Sequence, residues 1–466
     1  MSAILTQAQP PLEFIPPRFN PSILCLSKTI LPWWLKFRTN IKSIQGENLD
    51  TFIELYEQFQ TKKIRLLLAF RHPSTNDPLC MAYLFWRLAE AHARDKGIKL
   101  QLPIHAHFIY DRGIPLWAGE WVAWLYAKLG GSSIQRGKLD LLGLRTARHL
   151  FVNGDFPLAV APEGATNGHN EIISPLEPGI AQLAFWCVED LHKASRQEEV
   201  IILPIGIKYT YVSPPWQAIA NLLNELERET GLVTKQELNL VDDNITPSQI
   251  ELLYQRLFQL GEKLLTHIEN FYRQFYSQYL SPLSSEHETE TEPNHQLALR
   301  LQRILDKALR VAEGYFNLNP KGNLVDRCRR LEQAGWDYIY REEFREDGQI
   351  SPFERGLANH VAEEASLQMW HMRIVESFVA VTGHYVKEKP SVERFAETVM
   401  ILRDLVTRIE GGNPLIHSEL GQQGVKLTMG EPMSVSSRWR EYKNSRRQAV
   451  ASLTEDLQIA LQKMLN

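Results

Sequence analysis

Two periodicities divide the chain. Up to about residue 211, short apolar runs bounded by turn residues alternate with amphipathic stretches; after it, helical spacing dominates. Ile64–Phe70 (IRLLLAF) is apolar everywhere except Arg65, the pattern of a strand buried on both faces. Residues 105–110, 156–161 (FPLAVA) and 200–207 (VIILPIGI) are further strand candidates, and helical spacing marks 78–96, 117–129 and 179–194. Strands alternating with helices predict an α/β fold: a mixed, largely parallel sheet flanked by helices.

Helical periodicity from 211 to 279 is followed by SPLSSEHETETEPNH, acidic and poor in apolar side chains, which reads as a solvated linker over 281–295. Residues 296–466 are predicted as an all-helical C-terminal domain, and the stretch 49–280 as the α/β domain. Ahead of it, 1–48 contains PSILCLSKTILPWWLKFRTNIKSI, where Trp33, Trp34 and Phe37 alternate with Lys28, Lys36, Arg38 and Lys42. Aromatic bulk beside a cationic edge suits the lipid headgroup boundary, so 1–48 is expected to be a membrane-contacting amphipathic segment. The plain alternative is a helix packed on the protein's own core. Pro32 is expected to split it into two short helical pieces.

Composition narrows the function classes. The 466 residues exceed one typical domain, and 44% hydrophobic with 23% charged residues is ordinary for a globular protein. A net charge of −4 argues against a general nucleic-acid binder. Cys25, Cys80, Cys187 and Cys328 are scattered without a C-x-x-C pair, which points to reduced thiols rather than zinc or disulfides. The N-terminus lacks the basic start and apolar run of a secretory signal, and no run approaches about 20 apolar residues. The expected location is cytoplasmic, peripheral on the inner face of a membrane.

The chemistry centres on Arg71-His72-Pro73-Ser74-Thr75-Asn76-Asp77-Pro78, directly after the first strand. Asp followed by Pro is a strong helix start, the Asp capping free N–H groups and Pro fitting the first helical position. The intervening turn can fold the Asp77 carboxylate back towards His72, fixing one ring nitrogen and leaving the other as a base. A capping Asp beside an unrelated loop His is the alternative for this pair taken alone. Three further blocks follow: Gly130-Gly131-Ser132-Ser133-Ile134-Gln135-Arg136, Val160-Ala161-Pro162-Glu163-Gly164-Ala165-Thr166-Asn167, and Ile202-Leu203-Pro204-Ile205-Gly206.

In order and spacing the four blocks resemble the PlsC-like glycerolipid acyltransferases, a family that includes lysophosphatidate and glycerol-3-phosphate acyltransferases. The resemblance covers residues 49–211, under half the chain, and all four blocks in register are far more specific than any one. It implies His72 as general base, Asp77 as its orienter, Arg136 as a ligand of the acceptor phosphate, Glu163 and Gly164 as shapers of the acceptor site, and Pro204 as a wall near the acyl donor. Two departures stand out. Arg71 replaces the usual Asn before the His, and Ala165-Thr166-Asn167 replaces Thr-Arg-Ser, so one expected cation is missing; Arg71 or Arg112 is the candidate replacement.

The implied reaction transfers a fatty acyl group from acyl carrier protein or coenzyme A to a lysophospholipid hydroxyl. Lysophosphatidate giving phosphatidate is the favoured case, and glycerol 3-phosphate or another lysolipid the alternative. No cofactor or metal is expected, and no nucleic-acid partner. No Cys or Ser stands in a nucleophile-plus-base context, and no G-x-S-x-G elbow marks an α/β hydrolase. A non-catalytic lipid-binding or scaffold protein is the rival from another class. His105 with His107 lacks a third metal ligand nearby, and His360, Glu363, Glu364 and His371 form only a weak hint of a metal pair. The basic stretch 437–447 (SRWREYKNSRR) reads as a contact for anionic lipid or carrier protein, or as a solvated helix face.

Overall fold

Strand β2 (Ile64–Phe70) forms where the apolar run predicts it and is buried along its whole length. Strand alternation sends Leu66, Leu68 and Phe70 into one hydrophobic core and Leu67 and Ala69 into another. The sheet therefore carries helices on both faces, and this double burial explains the unbroken apolar run. The computed structural model describes residues 5–135, 140–232, 245–278, 292–345, 350–378, 383–414 and 419–465.

Among the described residues the sheet has eight strands: β1 (Ile41–Glu47), β2, β3 (His107–Asp111), β4 (Gly131–Ile134), β5 (Leu158–Val160), β6 (Glu199–Tyr211), β7 (Gln423–Met429) and β8 (Met433–Ser434). Their order is β1-β7-β6-β2-β5-β3-β4, with β8 also on β6. β6, β2, β5, β3 and β4 are parallel neighbours, whereas β7 and β8 run antiparallel to β6. The sheet is thus mixed and largely parallel, as the alternating pattern predicts. One face packs on α1 (Pro21–Arg38), α2 (Leu49–Gln60), α3 (Asp77–Tyr83), a π-helical stretch Leu84–Ala89 and α4 (Glu90–Asp95). The other packs on α7 (Leu141–Asn153), α8 (Pro178–Lys193) and α17 (Arg446–Lys463). Two shorter helices, α5 (Ile114–Ala118) and α6 (Glu120–Lys128), join β3 to β4.

The chain forms two compact units whose limits differ from the expected domains. Among the described residues, the α/β unit comprises 13–135, 140–212 and 422–465; the helical unit takes 5–12 and those between 213 and 421. The helical unit is an excursion between β6 and β7, and the Val212 N–H donates to the Gln422 carbonyl (2.9 Å) where the chain leaves and returns. The described residues between 213 and 278, expected with the sheet, belong instead to the helical unit, and the last 45 or so residues, expected in an all-helical domain, supply β7, β8 and α17. The reason is visible in β7: Val425, Leu427 and Met429 are buried and alternate with Lys426 and Thr428, a short period-two run set among helices. The expected linker falls mostly on residues 279–291, outside those described, and Pro293 already starts a helix.

The helical unit contains α9 (Trp216–Glu229), α10 (Pro247–Phe275), α11 (Pro293–Tyr315), α12 (Leu324–Ile339), α13 (Pro352–Glu376), α14 (Tyr385–Glu388) and α15 (Val392–Ile409). Buried ion pairs tie them together, Arg256 Nε to Glu227 (2.9 Å) and Arg327 Nε to Glu313 (2.7 Å). Residues 5–12, expected within the membrane-contacting segment, join this unit: Gln9 N–H donates to the Ile339 carbonyl (2.8 Å) and Ala8 N–H to Asn359 Oδ1 (3.0 Å). In the 437–447 stretch, α16 (Trp439–Asn444) uses its aromatics internally, Tyr442 stacking on Phe185 at 4.4 Å and Trp439 on His192 at 5.1 Å.

Helix α1 is continuous through Pro32, contrary to the expected split. Proline removes the N–H that would bond the Lys28 carbonyl, and that carbonyl accepts instead from Arg87 Nη2 at 3.2 Å. Asn20 caps the start through the N–H groups of Ser22 and Ile23. Residues 41–44, read as part of the same helical segment, are the beginning of β1.

Because Leu427 is fully buried on a strand between β1 and β6, Leu427→Ala is expected to lower the unfolding free energy by about 2–5 kcal/mol. Urea denaturation followed by tryptophan fluorescence measures this. An unchanged midpoint would mean that β7 is not integral to the sheet.

Candidate active site

Parallel neighbours place the ends of β6, β2, β5 and β3 on one edge of the sheet, the edge where open α/β sheets bind ligands. β2 leaves the sheet late: Arg71 N–H still donates to the Ile205 carbonyl at 3.0 Å, and the chain turns only at His72. The turn closes when Asp77 N–H donates to the Ser74 carbonyl (3.2 Å), and α3 starts at Asp77 with Pro78 in its first turn. Asp77 does not cap the helix N–H groups as its position suggests. Its Oδ2 accepts from Ser74 N–H (2.8 Å) and meets His72 Nδ1 at 2.9 Å, while its Oδ1 accepts from the Tyr209 hydroxyl at 2.5 Å.

Asp77 is fully buried, and the His72 side chain keeps about a fifth of its surface exposed. A carboxylate on Nδ1 assigns the proton to that nitrogen and leaves Nε2 as a proton acceptor. Tyr209 is buried, and burial followed by the Asp77 charge drives its phenol far above the ordinary range, so it remains a donor. Cys80 Sγ lies 3.5 Å from the same hydroxyl; burial and then Asp77 push its thiol up, the opposite of an activated nucleophile.

The second loop comes from β5. Gly164 N–H donates to the Ala161 carbonyl (3.2 Å), and Gly164 takes a φ of +74° that a side chain would strain. This turn aims Glu163 inward. Its Oε1 accepts the His72 backbone N–H at 2.9 Å, and its Oε2 accepts from Ser174 N–H (3.0 Å) and Asn167 Nδ2 (3.1 Å). Arg71, fully buried, sets its Nε 3.5 Å from Glu163 Oε1 and donates to the carbonyls of His169 (3.0 Å), Ile172 (2.8 Å) and Asn170. The two departures noted in the sequence, Arg71 and Asn167, thus converge on Glu163.

Of the predicted site residues, His72, Asp77, Glu163 and Gly164 come together at the ends of β2 and β5. Arg112, at the end of β3, is buried and committed: it pairs with Asp140, reaches Gln135 Oε1 at 3.4 Å and lies over the Phe14 ring at 5.5 Å. Neither it nor Arg71 presents an unpaired guanidinium for a phosphate. Pro204 sits inside β6, level with Ala69 of β2. Its carbonyl accepts from Gly430 N–H (2.9 Å) in the gap between β7 and β8, so its missing N–H interrupts no ladder bond to β2. Arg136 lies outside the described residues.

The supporting residues Tyr209, Asn167 and Asn170 were not anticipated from sequence. Extending the alternation of β6 beyond Ile207 puts Tyr209 on the face that carries α3, which was the available signal. Asn170 Oδ1 accepts Tyr209 N–H at 2.8 Å and fixes that end of the strand. His105 Nε2 and His107 Nδ1 each face a backbone carbonyl, of Leu129 (2.7 Å) and Gly130 (3.0 Å). In the helical unit His360 pairs with Glu364 at 3.3 Å on the surface, whereas His371 is buried against the Tyr272 hydroxyl (2.7 Å). Among the described residues no three His, Cys, Asp or Glu side chains cluster as a metal site would require. No protein-family model matches the chain, and no curated protein is similar to it.

Tyr209→Phe removes one donor from a buried carboxylate and is expected to cost about 1.5–3 kcal/mol of stability, read from urea midpoints. A cost under about 0.5 kcal/mol would show that Asp77 does not depend on this bond. Acid sensitivity follows from His105 and His169, which burial depresses to about 4 from 6.5. Between those values the unfolded chain binds the extra protons, so stability is lost as pH falls from about 6.5 towards 4, by about 3 kcal/mol for each imidazole. Stability measured against pH should fall over that window, and His169→Gln should make the fall shallower; identical slopes would contradict this origin.

Proposed function

We propose that the α/β unit is an acyltransferase of the PlsC-like glycerolipid type, moving a fatty acyl group from a thioester to a hydroxyl. The observation that carries the reading is the His72 Nδ1–Asp77 Oδ2 contact at 2.9 Å, with Asp77 itself held by Tyr209 and Ser74. An imidazole restrained in this way has one tautomer and one orientation, the state a general base requires. Nε2 takes the acceptor's hydroxyl proton while the oxygen attacks the thioester carbonyl. The tetrahedral intermediate then expels the thiolate, which receives the proton from the imidazolium. The Glu163 carboxylate accepts from the His72 backbone N–H with one oxygen and from Ser174 N–H and Asn167 Nδ2 with the other, so the role we assign it is positioning.

The donor is an acyl carrier protein or coenzyme A thioester. The acceptor is lysophosphatidate by the motif resemblance, with glycerol 3-phosphate or another lysolipid as the alternative. With Arg71 and Arg112 engaged by Glu163 and Asp140, the resemblance leaves Arg136 as the cation for an acceptor phosphate.

The test is acyl transfer by the full chain in mixed micelles, offering each thioester with lysophosphatidate or glycerol 3-phosphate. Turnover is expected, and His72→Ala should lower it by about 10²–10⁴-fold while circular dichroism stays native. Folded wild-type protein inactive with every pair, or a His72→Ala variant with unchanged turnover, would overturn the proposal.

A further inference from the structure

Helix α1 carries two apolar stripes. Leu24, Leu31 and Leu35 are buried in the core of the α/β unit. Leu26, Ile30, Trp33, Trp34 and Phe37 follow the same helical spacing on another face and remain exposed, Trp33 at 70%. The core alternative open from sequence describes the buried stripe alone and leaves the exposed one without a partner in the α/β core. A second element extends the exposed stripe: Trp117 of α5 and Trp121 and Trp124 of α6 are each about half exposed, and Trp34 contacts Trp121 with ring centroids 6.2 Å apart. Single exposed apolar residues are ordinary, but a contiguous group dominated by tryptophan marks an interaction surface.

Charge selects the partner. Helix α1 contains three cations and no carboxylate. Lys28 is neutralised by Glu90, but Lys36 and Arg38 have no carboxylate partner among the described residues and lie over exposed rings, Phe37 at 5.3 Å and Trp34 at 5.9 Å. Glu120 is the one acidic residue of α5 and α6. A second copy of the chain docked symmetrically on this face would set Lys36 and Arg38 against their own equivalents. A bilayer with anionic headgroups instead meets the cations with opposite charge and takes the indoles at their preferred depth. No helix among the described residues is long and apolar enough to cross a membrane, so contact through this face is parallel to the surface.

We infer that α1, α5 and α6 form one composite docking face for an anionic lipid bilayer, anchored by Trp33, Trp34, Trp121 and Trp124 and steered by Lys36 and Arg38. The face stands on surface residues and does not depend on the acyl-transfer reading.

Cosedimentation of the full chain with phosphatidylcholine vesicles, with and without phosphatidylglycerol, tests it. Binding is expected to favour the anionic vesicles by about tenfold or more. Trp33→Glu with Trp121→Glu should cut that binding at least about tenfold, and Lys36→Glu with Arg38→Glu should abolish the anionic preference, both with unchanged thermal melting because these residues are exposed. No binding by folded wild-type protein, or binding indifferent to both variant pairs, would overturn the inference. So would light scattering that shows a dimer dissolved by the tryptophan substitutions without vesicle binding. His72→Ala should bind vesicles as wild type does, which separates failure of this face from failure of the catalytic reading.

Discussion

A carboxylate taken out of water must recover its hydration from protein donors, and Asp77 does so with three: the Tyr209 hydroxyl, the Ser74 N–H and the His72 ring. Most of the local architecture follows from that requirement. β6 must continue to residue 209 so that the phenol reaches Oδ1; the 72–77 turn must be tight so that Ser74 N–H reaches Oδ2. Once both conditions hold, the imidazole has a single fixed partner. The cost of burying the charge is thereby converted into orientation of His72.

A second buried carboxylate, Glu163, performs the corresponding task for the backbone. It joins the loop after β2 to the loop after β5, two strands adjacent in the sheet although about 90 residues apart in sequence. Arg71 balances the charge of Glu163 and binds three carbonyls of the 169–172 segment, so the loop beyond Gly164 is fastened to the residue that precedes His72. Removing one partner from so closed a network leaves an uncompensated buried charge, which is why residues of this kind are expensive to change even when they touch no ligand. Arg71 and Asn167 both bond Glu163, so the two are partners in one clamp.

The same economy of faces appears in α1. One stripe of the helix completes the core under β1 and α2, and the other remains outside with the tryptophans of α5 and α6. Pro32 is accommodated within it because Arg87 takes over the carbonyl that proline leaves open. An amphipathic helix with two apolar sides cannot be assigned to core or surface by composition alone, because both assignments are correct for different residues.

The local consequences of the sequence were legible in it. The apolar run of β2, the helix after Asp77-Pro78, the helices near 117–129 and 179–194 and the H-x-x-x-x-D pair rest on contacts within a few residues, where side-chain period and turn chemistry dominate. What tertiary structure alone decided are the long-range pairings. Nothing within residues 423–429 announces that they enter the sheet between β1 and β6, since a seven-residue alternation among helices is a weak signal until partner strands are present. The assignment of the described residues between 213 and 278 to the helical unit is of the same kind. Tyr209 beneath Asp77 is separated from it by 132 residues, and Arg71 against Asn170 by 99. The sequence by itself determined that His72 and Asp77 can meet, because that follows from residue type and short spacing; the donors that hold the pair in place were decided by the packing of strands, because only the fold brings distant residues within hydrogen-bond reach.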